Sequence, residues 1–201
     1  MQTGLRERKK AETRAALSKA AMRLALERGV ENVTAEAIAA AADVAPRTFH
    51  NYFSGKEEAI VAELVEGAAG LADALRARPA AEPVWDALHH AIVAEVSGRP
   101  EELAEMAARM RMIRSSRSLL APRLTVFEQV SRVLATAIAE RTGTDAERDL
   151  YPRLLAAVVA AALKTAMDAW IEGNGSASLV ELATDALAQL RAGLPDPRAS
   201  T

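Results

Sequence analysis

The chain has 201 residues, half of them hydrophobic but only 3% aromatic, and a formal net charge of −2, which suffices to bury a core in one domain or two small ones. It contains no cysteine, which excludes disulfides and thiolate metal sites. Alanine and leucine dominate, so helix is favoured nearly everywhere.

The segment Leu5-Arg-Glu-Arg-Lys-Lys10 reads as a basic arm running into a helix. Leu17, Ala21 and Leu24, with Ala20 and Ala25 beside them, give that helix one packed side, and Gly29 stands at its C-terminal stop. Thr34 caps a short second helix with Glu36 in its first turn; the helix carries Ile38 and stops near Ala42-Asp43. Pro46 opens a third short helix through Phe53, at a position where its missing N–H costs nothing. Ser54 and Glu57 have the spacing of a capping box for a fourth helix, which shows Ile60, Leu64, Leu71 and Leu75 on one side and ends before Pro79. After a hinge at 80–83, helices are predicted over 84–96, 101–115, 119–141, 145–173 and 178–192, with breaks at 98–100, near Pro122, at Gly143 and at 173–175. Ser178 and Glu181 repeat the capping-box pattern. No stretch alternates like a strand. The expectation is an all-α chain of about nine helices: a helix-turn-helix domain over 1–55, a helical body over 56–194 and a flexible tail over 195–201.

Charge is uneven along this order. Residues 1–56 hold ten Lys/Arg against six Asp/Glu, while the rest hold fifteen against twenty-one. A basic head on an acidic body points to a polyanion as partner of the head alone.

Two short helices joined by a tight turn, the second rich in exposed polar side chains, fit a helix-turn-helix that lays its second helix in the roughly 12 Å wide major groove. Arg47, Thr48, His50, Asn51 and Tyr52 offer donors to bases and phosphates, with Pro46 at the helix entrance. Phe49 and Phe53 recur at i, i+4 and anchor the helix, and three of the seven aromatics fall between 49 and 53. A small helical hairpin without a DNA role fits the same pattern.

The run Thr13-Arg-Ala-Ala-Leu, Ala20-Ala, Leu24, Glu27-Arg-Gly29, Val33-Thr34, Ile38-Ala39, Ala42-Asp-Val44, Thr48-Phe and Tyr52-Phe-Ser-Gly-Lys56-Glu resembles the DNA-binding domain of TetR-family repressors over about residues 10–60. The resemblance implies phosphate contacts by Thr34, Tyr52 and Lys56, a contact to phosphate or a thymine methyl by Thr48, and base reading by Arg47. Three positions depart from the family pattern. His50 stands where tyrosine is common, Asp43 where a turn glycine is usual, and Ala45 where a serine N-cap is usual.

In the body, Leu154, Leu155, Val158, Val159, Ala162, Leu163, Met167 and Trp170 form two stripes on one helix, and Leu179, Ala183, Ala186, Leu187 and Leu190 form another. One layer of helices cannot hide them all, so a homodimer through the last two helices is expected, as the family resemblance also implies. The phrases Ala74-Leu-Arg-Ala-Arg-Pro79, Glu82-Pro-Val-Trp-Asp-Ala-Leu88, Arg109-Met-Arg-Met-Ile113 and Arg153-Leu-Leu-Ala-Ala157 resemble the mycofactocin-regulator subgroup, which implies an acyl-CoA-like effector. Met106, Met110 and Met112 suit an adaptable apolar pocket, and Arg109, Arg111 and Arg114 suit an anionic ligand head. Trp85, His89, Ile113, Phe127, Met167 and Trp170 complete the candidate lining; each is equally at home in a plain core or on a solvated surface.

Adjacent histidines such as His89 and His90 point about 100° apart on a helix and poorly share a metal, so neither a metal nor another cofactor is expected. The chain shows no nucleophile elbow, phosphate-cradling glycine loop or catalytic constellation, and the expected function is not enzymatic. It is a regulator released from palindromic double-stranded DNA by a small molecule; the alternative is an architectural DNA-binding protein without a ligand. The longest uninterrupted hydrophobic run, Leu154 to Leu163, is well short of the roughly 20 residues that span a bilayer. The N-terminal charges lack an apolar signal core behind them. A cytoplasmic protein without a membrane partner is expected.

Overall fold

The computed structural model describes residues 2–98, 100–173 and 176–196, with the side chains of 2–5 and 100 left aside. Arg99, Asn174 and Gly175 of the expected breaks, and 197–201 of the expected tail, lie outside the described residues. Among the described residues ten α-helices follow in order: α1 (Gln2–Arg28), α2 (Ala35–Ala41), α3 (Pro46–His50), α4 (Lys56–Val61), α5 (Glu63–Ala77), α6 (Val84–Val96), α7 (Pro100–Ser115), α8 (Leu120–Thr142), α9 (Leu150–Glu172) and α10 (Leu179–Arg191). Short 3-10 turns precede α2 and α8, and no strand occurs among the described residues. The all-α expectation holds.

Three local expectations need correction. The basic arm is already helical, because Arg, Glu, Lys and Ala are good helix formers, and Arg8 pairs with Glu12 at 3.6 Å along the turn. The fourth predicted helix divides at Ala62, where the chain tightens so that Val65 N–H donates to Ala62 O at 2.9 Å. Residues 145–149 do not join α9. The Asp145 carboxylate accepts from the amides of Glu147 (2.8 Å) and Arg148 (3.2 Å), and Asp149 accepts from Asp145 N–H at 2.7 Å. These short side chains offer the backbone an alternative to helix.

The chain forms two compact units. The first takes Met1–Gly67 together with Glu105–Val126. Leu17, Ala21, Leu24, Ile38, Phe49, Phe53 and Ile60 are buried in it, as is Leu119 from the turn after α7. Ser18, a polar side chain buried in this core, donates to Ala59 O at 3.0 Å.

The second unit takes Ala68–Ala104 with Phe127–Thr201. Its core joins Leu71 and Leu75 of α5, Leu88 and Ile92 of α6, Leu134 and Ile138 of α8, Leu155 and Val159 of α9, and Leu187 of α10. The hinge after α5 is pinned by Arg141, whose guanidinium donates to the carbonyls of Leu75, Arg78, Pro79 and Glu82. By length and composition α9 could cross a membrane, with a mean hydropathy of 1.7 in its most apolar stretch. Less than half of that stretch is buried, 44%, and along the helix Leu155, Ala156, Val159, Ala160, Ala166, Trp170 and Ile171 are the apolar residues that enter the core.

Candidate nucleic-acid interface

Thr34 stands at the N-cap of α2 in extended backbone, and its hydroxyl accepts from Ala37 N–H at 3.2 Å. The helix ends in a left-handed residue, Asp43 (φ 54), where the family pattern has glycine. Val44 N–H donates to Ala39 O at 3.0 Å and Asp43 N–H to Ala40 O at 3.2 Å, the pair of bonds that closes a Schellman stop. Ala45 then precedes α3 without a side-chain cap, and Pro46 takes the first turn.

Helix α3 turns its polar residues out. Pro46, Arg47, His50 and Asn51 are exposed and Thr48 and Tyr52 half-buried, whereas Phe49 and Phe53 are buried with ring centroids 5.7 Å apart. Glu36 lies near this face. Its carboxyl is held below the ordinary value first by its own backbone amide and then by the Thr34 hydroxyl; slight burial opposes this, and His50 adds a weak attraction.

The start of α4 differs from the predicted capping box. Gly55 is the N-cap, which places Glu58 rather than Glu57 three residues into the helix. Glu58 Oε2 accepts from both Ser54 N–H (2.9 Å) and Ser54 Oγ (2.8 Å). Lys56 is half-buried and donates from Nζ to Glu31 O at 3.1 Å, and the Glu31 carboxylate accepts from Ser118 Oγ at 3.1 Å.

One residue at this interface was not among the expected contacts. Arg14 of α1 donates from Nη1 to Tyr52 O at 2.7 Å, its guanidinium lies 4.2 Å from the Phe53 ring centroid, and its Nη2 stands 3.5 Å from Glu58 Oε1.

The candidate ligand contacts divide between the units. Met106, Arg109, Met110 and Ile113 of α7 lie in the first, with Ile113 buried, the two methionines half-buried and Arg109 paired to Glu63 (2.9 Å) and Glu105 (3.3 Å). Trp85, His89, Phe127, Met167 and Trp170 lie in the second. Trp85 packs on its core and Trp170 is buried, His89 and Met167 are half-buried, and Phe127 is 37% exposed. Met112 is half-buried and Arg111 exposed.

A capped short helix, a Schellman turn and a second helix with a buried aromatic face and an outward polar face define a helix-turn-helix DNA-binding unit. Residues 17–63 match the family model described as bacterial regulatory proteins, tetR family, and residues 82–195 match that described as the MftR C-terminal domain. The chain belongs to the TetR family of transcriptional regulators, with a DNA-binding helix-turn-helix and a ligand-binding C-terminal domain. It is 36% identical over 173 residues to the HTH-type transcriptional regulator TcmR of Streptomyces glaucescens, a match covering 83% of this chain and 76% of the relative. Among solved structures it shares its fold with Thermus thermophilus FadR in complex with lauroyl-CoA (TM-score 0.60, 21% identity, 91% of this chain and 95% of that one). FadR from Bacillus halodurans (0.56, 21%, 90% and 96%) and the SmeT–triclosan complex (0.56, 18%, 92% and 98%) are similar to it in the same way.

Proposed function

We propose that this regulator is a cytoplasmic repressor that grips a palindromic operator as a homodimer and is released by an amphipathic effector of the acyl-CoA kind. The observation that carries the reading is the outward polar face of α3 over its buried Phe49 and over Phe53, which is buried just past the helix. Arg47 is the base reader, and a bidentate contact to guanine is its best use. Thr34, Tyr52 and Lys56 hold phosphates and Thr48 meets a phosphate or a thymine methyl; Pro46, His50 and Asn51 line the approach to the groove.

The dimer surface is assigned to α9 and α10, which pack on each other while Leu150 (72% exposed) and Leu154 (55% exposed) stay outside the monomer's core. Two copies then present their α3 helices to half-sites about 34–36 Å apart. The effector reading rests on the MftR C-terminal match and on lauroyl-CoA in the Thermus thermophilus FadR structure. Its candidate contacts are Trp85, His89, Met106, Arg109, Met110, Ile113, Phe127, Met167 and Trp170. Effector entry is proposed to shift the α4–α5 segment and so change the separation of the two α3 helices.

Selection of bound duplexes from genomic DNA tests the first half. One or a few enriched palindromes are expected, and Arg47→Ala should weaken binding to them by about 1–3 kcal/mol and relax sequence preference. A salt-dependent binder that enriches no sequence would instead be an architectural protein. The second half is tested by adding acyl-CoA thioesters and free fatty acids of graded length to the selected complex. Release is expected from the thioesters, and no release at any length would discard that ligand class.

A further inference from the structure

We infer that Arg14, a residue of α1 outside the helix-turn-helix, is the positioning residue that holds the recognition helix α3 in its base-reading orientation. The inference rests on the proposed reading of α3 as the helix that meets the bases. Helix α3 has five residues, far fewer than a helix needs to persist alone, and Ala45 gives it no side-chain cap. Its orientation therefore comes from tertiary contacts. Burial of Phe49 and Phe53 keeps it on the core, but apolar contact is non-directional and leaves freedom to roll.

Arg14 supplies the directional contacts. Nη1 donates at 2.7 Å to Tyr52 O, two residues past the last residue of α3, and a cation is favoured near that end of a helix. The guanidinium stacks 4.2 Å from the Phe53 ring centroid. Nη2 meets Glu58 Oε1 at 3.5 Å, while the other Glu58 oxygen takes the Ser54 amide and hydroxyl. One guanidinium thus ties down both sides of the turn from α3 to α4. Burial pushes the Glu58 carboxyl up, but the Ser54 bonds and then Arg14 outweigh it and leave it below the ordinary value. With two of its nitrogens committed in this way, Arg14 acts on DNA through Tyr52 and Arg47.

The test uses the full chain with Arg14→Met, which keeps an apolar stem over Phe53 and lacks the donors. Affinity is measured for the duplex that wild type enriches from random DNA and for a scrambled duplex, across salt concentrations, beside thermal melting. In the folded variant the enriched duplex should lose about tenfold in affinity, with the scrambled duplex and its salt slope unchanged. Arg14→Lys should recover only part of the loss, since an ammonium can neither stack flat on Phe53 nor fork between Tyr52 O and Glu58. Equal losses on both duplexes with a shallower salt slope would make Arg14 a phosphate contact and overturn the inference. So would lower melting with unchanged discrimination. If Arg14→Met does not fold, Glu58→Gln carries the test: a smaller loss confined to the enriched duplex supports the inference, and unchanged discrimination overturns it. Failure of the wild type to enrich any sequence would remove the base-reading role of α3 itself, an outcome distinct from the others.

Discussion

Glu63 and Arg109 meet at 2.9 Å across 46 residues of sequence, joining the start of α5 to α7 within the DNA-binding unit. The second Glu63 oxygen is buried and has no hydrogen-bond partner among the described residues. Burial pushes the carboxyl up, against the attraction of Arg109 and, more weakly, Lys19. Arg109 therefore reaches a ligand only by leaving Glu63 or sharing itself with it.

Removing the partner should expose that strain. Arg109→Met should lower stability at neutral pH by about 1 kcal/mol, a figure kept small because Arg109 is partly solvated. The folded-state pKa of Glu63 lies above its unfolded value, so its ionisation opposes folding, and stability is regained as pH falls through that pKa. The deficit of Arg109→Met should shrink in acid, and Glu63→Gln in the same background should erase its pH dependence. Denaturant titrations at neutral and mildly acidic pH decide this; a deficit that does not vary with pH counts against it.

The turn before α3 offers a stability test. Asp43 holds a left-handed conformation that glycine adopts without cost, so Asp43→Gly should stabilise by up to about 1 kcal/mol and Asp43→Val destabilise by about 1–2 kcal/mol. Ala45→Ser should add about 1 kcal/mol by capping the free N–H groups of α3. Thermal melting of the three variants reads both effects, and an unperturbed Asp43→Val would deny the strain.

Lys56 spends one ammonium hydrogen on Glu31 O, and an ammonium carries two more donors, which the proposed phosphate contact would use. Lys56→Ala should weaken binding alike on all sequences and reduce the salt slope by about one. Binding curves over a range of salt measure it; an unchanged slope would take Lys56 off the phosphate backbone.

Glu82 titrates at about 2, held down first by the forked bonds from Arg78 at 2.8 Å, against some burial, and then by His90 Nδ1 at 2.7 Å. Its folded pKa lies below the unfolded value, so its contribution is present above about pH 4.5 and is lost as pH falls from there towards 2. Glu82→Gln should lower stability at neutral pH and flatten this acid limb. Melting temperature against pH shows the difference, and parallel curves would refute it.

How much of this was legible in the sequence follows from where each partner sits. Thr34, Ser178, Gly29 and Gly143 act on backbone a few residues away, and each marks its helix end as expected. The outward face of α3 was legible from the i, i+4 spacing of Phe49 and Phe53 alone. The division at Ala62 was not, because the apolar period runs through it unbroken. Arg14 and Arg141 were also hidden. Their acceptors are main-chain carbonyls 38 to 66 residues away, and a carbonyl leaves no trace in residue identity. The predicted helix over 145–173 failed only in its first five residues, because Asp145 and Asp149 read as helix surface when their carboxylates in fact compete for amides.

The bond from Ser118 to Glu31, the pair of Arg109 with Glu63 and the wholly buried Leu119 all belong to the DNA-binding unit, yet come from far along the chain. Reading heads in this protein are therefore not interchangeable cartridges. A transplant cut after Gly67 would carry every residue proposed to touch DNA and leave behind the segment 105–126 that completes their support. A chimera would have to exchange both pieces together, and new operator specificities should arise more readily by substitution within α3 than by recombination of whole domains.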